Sequence, residues 1–341
     1  MLAAASMTSL PVQLGEVFYT IVLPVLLIAA VGFIIQRRLN LDMATLANLN
    51  FYFTAPGMMY FSLVSSQVNA AQIAQVVGFT LGLLAALAVL TSATAALLRI
   101  RRDRRPVLLM STLMYNAGNY GLPLQELAYR SMGLSAEAVS LQVFVMLVQN
   151  FIGFTVGVLL VAGGRADRRW RQNLLQTVRF PPVYAMAAAL LTIQARTWLG
   201  GHAPDVAHWM SPLWYVAGQL RQAYVPLALA TLGAQLALMP HGRSDYPVSL
   251  SLLLRLAVSP LLGLGLIYLL DLHGFTAQVL LISTAAPTAV NCALLCLQFQ
   301  NHPNFAARVV FFGTLLSPVT VTGVIFLAQG GFLQRLMMHV H

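Results

Sequence analysis

Charge is scarce in this 341-residue chain: 8% of its residues are Asp, Glu, Lys or Arg, and because lysine is absent all 19 basic residues are arginine. A soluble domain carries about 25% charged residues. A chain this poor in charge, with 59% hydrophobic residues and a mean hydropathy of +0.77, belongs in a bilayer. Cysteine is almost absent too. Cys292 and Cys296 stand four apart in one apolar run, on one helix face, which excludes a disulfide framework. No nucleophile–base constellation, phosphate-binding Gly-Lys loop or metal-spaced cluster occurs, so an ATP-driven pump or a membrane enzyme lacks its parts. No cofactor and no metal are expected, and His339 and His341 read as a solvated end. The net charge of +10 comes from arginines in short gaps between apolar runs, where they set membrane orientation rather than bind nucleic acid. With no Arg in the first fourteen residues, a cleaved signal peptide is not expected and the first span is retained.

What the sequence has is apolar length. Runs near 15–36, 44–66, 72–98, 107–133, 137–163, 180–199, 211–238, 246–270, 277–299 and 306–328 each approach the roughly 20 residues that a spanning helix needs. The fold class expected is therefore an all-α polytopic membrane protein of about ten transmembrane helices. They fall in two groups of five, 15–163 and 180–328, joined by a cytosolic basic linker at 164–179 that holds Arg165, Arg168, Arg169, Arg171 and Arg179. An odd number of helices per half makes any duplicated unit enter the membrane in opposite senses, the inverted-repeat plan of many secondary carriers. Pro56 and Pro226 occupy matching places in helices two and seven, and Pro123 and Pro287 interrupt helices four and nine.

The segment Asn116-Ala117-Gly118-Asn119-Tyr120-Gly121-Leu122-Pro123 is poor helix, since Gly costs about 1 and Pro about 3 kcal/mol relative to Ala. Unwinding there would expose backbone groups at mid-membrane and turn the partly positive N-terminus of a following half-helix toward an anion. Helix nine answers with Pro287-Thr288 and Asn291. Asn116, Asn119 and Asn291 are thus candidate substrate ligands, although intramembrane asparagines also simply bond neighbouring helices. Ionisable groups inside spans are functional candidates by default. Arg255 and Arg221 would either balance a substrate carboxylate or snorkel to an interface. Glu126 would either carry a coupled proton or face an external vestibule. The Arg99–Arg105 run is a cytosolic anchor able to attract anionic lipid headgroups.

Asn116, Gly121, Leu122, Pro123 and Leu124, together with Pro287, His302-Pro303, Phe312-Gly313 and Ser317-Pro318, resemble the auxin efflux carrier family, which includes plant PIN-type carriers and bacterial permeases. The resemblance implies an elevator-type secondary transporter of organic anions. In such a carrier, helices four and nine cross at Pro123 and Pro287, and a carboxylate, auxin-like or dicarboxylate, sits beside the crossing against Asn116. Gly121 and Thr288 belong to the same two segments. This chain departs from the plant pattern in having Tyr115 where those carriers have Pro, and in lacking their long cytosolic loop, which favours a small carboxylate handled by a bacterial permease. The expected setting is a bacterial inner (plasma) membrane, with lipid and a small organic anion as partners and a homodimer left open. Two alternatives remain at this point: a sodium-coupled carrier of the bile-acid symporter type, and a channel or sensor on the same fold.

Alternate loops hold fourteen arginines on one side and three, Arg130, Arg196 and Arg335, on the other, which puts both termini outside the cytosol. Cysteines introduced beside Met1 and His341 should therefore react with an impermeant thiol reagent on intact cells. Protection of both ends would refute that orientation.

Overall fold

The computed structural model describes residues 9–162, 181–199, 211–239, 246–330 and 333. The linker arginines, Arg243 and Arg335 fall outside these residues. Among the described residues the chain is helical, and its helices form ten rods. These are α1 (Leu10–Leu39), α2 (Met43–Leu49 continuing through Asn50–Thr54 and Ala55–Ser65), α3 (Ala70–Leu97), α4 (Arg105–Leu113, then Leu122–Ala128) and α5 (Ser135–Ala162). Then follow α6 (Pro181–Leu199), α7 (Ser211–Ala237), α8 (Tyr246–Leu269), α9 (Gly274–Thr284, then Val290–Gln298) and α10 (Pro303–Gln329). Five of them, α1, α3, α5, α8 and α10, are each long and apolar enough to cross a membrane. Their outer faces are apolar as well: Val89 is 71% exposed and Val319 78%, a surface that water would not tolerate and lipid requires. This is an all-α, multi-pass membrane protein, and its rods end within a few residues of the apolar runs.

Proline shapes these rods in a repeated way. In α1, α2, α4 and α8 a widened π-turn, at Phe18–Val22, Asn50–Thr54, Ala117–Gly121 and Leu254–Val258, ends two residues before Pro24, Pro56, Pro123 and Pro260 respectively. The proline ring lacks an N–H and collides with the carbonyl four residues back. Adding one residue to that turn moves the carbonyl aside and lets the helix continue. Pro226 and Pro318 instead sit inside uninterrupted helices, so Pro56 and Pro226, which look alike in sequence, differ in local form.

Packing places α7 along α1 and α2, and α6 on α2. Tyr60 of α2 meets Thr192 of α6 at 3.1 Å, and Phe61 stacks on Trp214 of α7 with centroids 4.4 Å apart. The α1–α7 contact is backbone against backbone. A methyl group on Gly32 would run into the carbonyl of Ala230, and one on Gly233 into that of Ala29, the small-residue packing that lets membrane helices approach closely. Gly233→Ala should therefore cost about 3 kcal/mol or more, the upper range of overpacking. Gly78→Ala, where a methyl group meets nothing within 4 Å, should be neutral or slightly stabilising. Thermal unfolding of the two variants in detergent checks the contrast.

Candidate functional site

The breaks in α4 and α9 meet. Beyond Leu113 the chain extends through Met114 and Tyr115, and beyond Thr284 it extends as far as Ala289. The two stretches pair antiparallel, with the Asn116 amide donating to Pro287 O at 2.8 Å and the Ala289 amide to Met114 O at 2.9 Å. Backbone that leaves a helix inside a membrane must find such partners, because no bulk water supplies them. Further groups of the two breaks are met nearby. Thr288 Oγ1 donates to Ser111 O at 2.7 Å, the Gly121 amide to Asn116 O at 2.8 Å, and Gln142 Nε2 to Ala117 O at 3.0 Å. Gln125 Nε2 donates to Val279 O at 2.9 Å. Gly121 is glycine for room, since a Cβ there would stand 2.5 Å from Gln142 Nε2.

Beside this pairing lies a crevice of about 40 Å³ lined by Phe51, Tyr115, Asn116 to Asn119, Met146, Gln149, Asn150 and Ala289 to Asn291. The start of the π-turn Ala117–Gly121, which leads into the second half of α4, and the start of the second half of α9 face it, so two helix N-terminal ends, each worth about +0.5 charge, converge there. Asn116 is buried at 7% exposure and its Nδ2 has no hydrogen-bond partner. Gln149 is buried at 4%, with neither Oε1 nor Nε2 bonded. An unbonded buried amide costs about 1–3 kcal/mol, so two of them on one crevice mark a place where a ligand or water completes the bonding. A larger hollow of about 710 Å³ opens between the α3–α4 and α9–α10 connections, near Asp103, Asn301 and His302. Its Asp103 and His302 face each other at 3.3 Å and are 44% and 33% exposed, the setting of a solvated mouth rather than of a recognition site.

The sequence candidates divide accordingly. Asn116, Asn119 and Asn291 line the crevice, and Asn119 Oδ1 also accepts from Asn50 Nδ2 of α2 at 3.0 Å. Gly121, Pro123, Pro287 and Thr288 build the breaks, with the Thr288 hydroxyl committed to Ser111. Arg255 is absent from the crevice lining and lies wholly buried, with its donors on three backbone carbonyls. The expectation that it faces a substrate carboxylate does not match this placement. Arg221 and Glu126, weighed separately as an anion ligand and a proton carrier, are partners: Arg221 Nη2 reaches both Glu126 oxygens at 3.0 and 3.1 Å, and the guanidinium lies 5.2 Å over the Phe61 ring. Asn50, Gln125, Gln142 and Gln149 were not singled out from sequence. Their signal was there, as amides inside apolar runs.

Side chains 21% and 17% exposed make the Arg221–Glu126 pair partly buried, where losing one partner strands the other. Arg221→Gln and Glu126→Gln should each destabilise by about 1–3 kcal/mol, and the double variant by clearly less than their sum. A thermal-stability double-mutant cycle measures this coupling.

The chain matches the family model described as membrane transport protein over residues 17–180 and 168–325. It is 26% identical over 216 residues to an "Uncharacterized transporter" of Methanothermobacter thermautotrophicus, a match covering 63% of this chain and 65%, just under two thirds, of that protein. It is also 26% identical over 241 residues to a "Putative malonate transporter" of Rhizobium meliloti, covering 67% of this chain and 71% of that one.

Proposed function

This chain belongs to the membrane transport protein family, the family of the auxin efflux carriers, and on that premise we propose that it is a secondary carrier of small organic anions that binds a carboxylate between the broken helices α4 and α9. The observation that carries this reading is the unbonded Asn116 amide nitrogen, buried on a crevice bordered by two half-helix N-terminal ends. A carboxylate accepts hydrogen bonds and carries the negative charge that those ends favour. Asn116 donates to it, Gln149 and Asn291 flank it, and Asn119 is steadied by Asn50. The malonate in the name of the Rhizobium meliloti relative makes three-carbon dicarboxylates the first probes.

A crevice of about 40 Å³ takes only a few waters, each of which needs roughly 10–15 Å³ of such space. The form described here is therefore closed, and substrate enters when the crevice opens to one side of the membrane and then to the other. We assign this alternation to an elevator-type movement of the broken-helix unit within a pair of inverted five-helix repeats. The carrier sits in a bacterial inner membrane with both ends outside the cytosol.

A thermal-shift screen of mono- and dicarboxylates on the purified protein should find a stabilising ligand, by about 2.7 kcal/mol at a hundred times its Kd. That ligand should show saturable counterflow in proteoliposomes, which a channel or sensor would not. Asn116→Ala should weaken binding by about 1–3 kcal/mol with folding intact, and the neutral diamide of the same acid should not compete. Unchanged affinity in Asn116→Ala would remove the asparagine from the site.

A further inference from the structure

Two broken helices leave more carbonyls than the local amides serve. In an unbroken α-helix each carbonyl meets the amide four residues on. Thr112 O would then meet the Asn116 amide, but that amide is turned to Pro287 O across the pairing. Thr284 O and Ala286 O lie at and just beyond the end of the first half of α9. One side chain collects all three. Arg255 donates Nε to Ala286 O at 3.0 Å, Nη1 to Thr112 O at 3.3 Å and Nη2 to Thr284 O, which also accepts from Ser259 Oγ at 3.2 Å.

The residue is 0% exposed, and among the described residues no carboxylate pairs with it. Its counter-charge is the backbone: two half-helix C-terminal ends, about −0.5 each, offset one guanidinium. Pro260 imposes the π-turn Leu254–Val258 in which Arg255 stands. The guanidinium carbon lies 4.4 Å from the centre of the Tyr115 ring, and Tyr115, unlike Arg255, lines the crevice. A planar fork of donors suits three fixed carbonyls, whereas an ammonium is a point donor on a flexible stem.

We propose that Arg255 is the positioning residue of this crevice: it ties the first halves of α4 and α9 together at their C-terminal ends. By offsetting those ends it leaves the two N-terminal ends as the field an anion meets. It does this without touching the ligand. The proposal rests on the reading of the crevice as the carboxylate site.

The native thiols supply the test. Cys292, buried at the start of the second half of α9, just past the break, places Sγ 3.7 Å from Ser111 Oγ in the first half of α4, so its reactivity reports whether the break in α9 stays seated on α4. In a Cys296→Ser background, Arg255→Lys and Arg255→Gln are labelled with N-ethylmaleimide in native membranes, which keeps the readout for variants that do not survive extraction. Malonate and related carboxylates are then titrated on purified protein. Both variants should label at least tenfold faster at Cys292 and bind carboxylate at least tenfold more weakly. Wild-type labelling and affinity in Arg255→Lys would overturn the proposal, because charge alone would then suffice. Weaker binding with unchanged labelling would overturn it by showing that the charge acts on the ligand, and faster labelling with unchanged affinity by showing that the tie does not shape the site. If Arg255→Gln does not accumulate, Arg255→Lys carries the test. If the unsubstituted protein binds no carboxylate, the functional reading fails, and the labelling arm still decides whether Arg255 holds α4 and α9 together at their breaks.

Discussion

Every backbone amide and carbonyl that leaves a helix inside a bilayer must find a partner within the protein, and the centre of this molecule is organised around that demand. A single interruption in α4 would strand several groups in hydrocarbon. Two interruptions brought face to face serve each other: Asn116 with Pro287, Ala289 with Met114, Thr288 with Ser111. What they cannot supply to one another comes from glutamine and arginine side chains of α5 and α8. The same demand explains why the polar residues of the interior are mostly amides and hydroxyls, which bond carbonyls without bringing charge.

Among the described residues, the charges closest to the breaks are handled in two different ways. Arg221 and Glu126, both partly buried, neutralise one another, with the guanidinium over the Phe61 ring. Arg255 has no carboxylate partner among the described residues and is offset by peptide dipoles. Both arrangements remove the penalty of a lone buried ion, and both take positive side chains away from the crevice. The crevice is left with the gentler potential of helix ends, which under the proposed function would let a bound anion leave again.

Much of this was legible in the sequence. The apolar runs gave the rods and their ends, because membrane thickness fixes how long such runs are. The cluster of Asn, Gly and Pro at 116–123 marked the break in α4, and Pro287 with Asn291 marked that in α9. The direction of side chains was not legible. Depth along a helix can be counted from the sequence, but Arg255 and Thr288 turn toward backbone rather than toward a ligand, and that rotation depends on neighbours distant in the chain. The partnership of Glu126 with Arg221, 95 residues apart, carries no local signal at all. Gln149 was visible as an amide in an apolar span, yet nothing nearby in sequence distinguished it from one that bonds a neighbouring helix.

The π-turns ahead of Pro24, Pro56, Pro123 and Pro260 bear on how such a chain can change over generations. Each is one residue more than a regular helix would hold, and one residue turns everything beyond it by about 100°. Losing the proline alone leaves a bulge with nothing to accommodate. Losing the extra residue alone drives the ring into the carbonyl and swings the rest of the rod, lipid face and packed face together, out of register. At these four places the ring and the extra residue therefore fit one another, whereas Pro226 and Pro318 stand in regular helix and the π-turn Gly153–Gly157 has no proline after it, so a rod that carries only one of the two must absorb the mismatch in its neighbours.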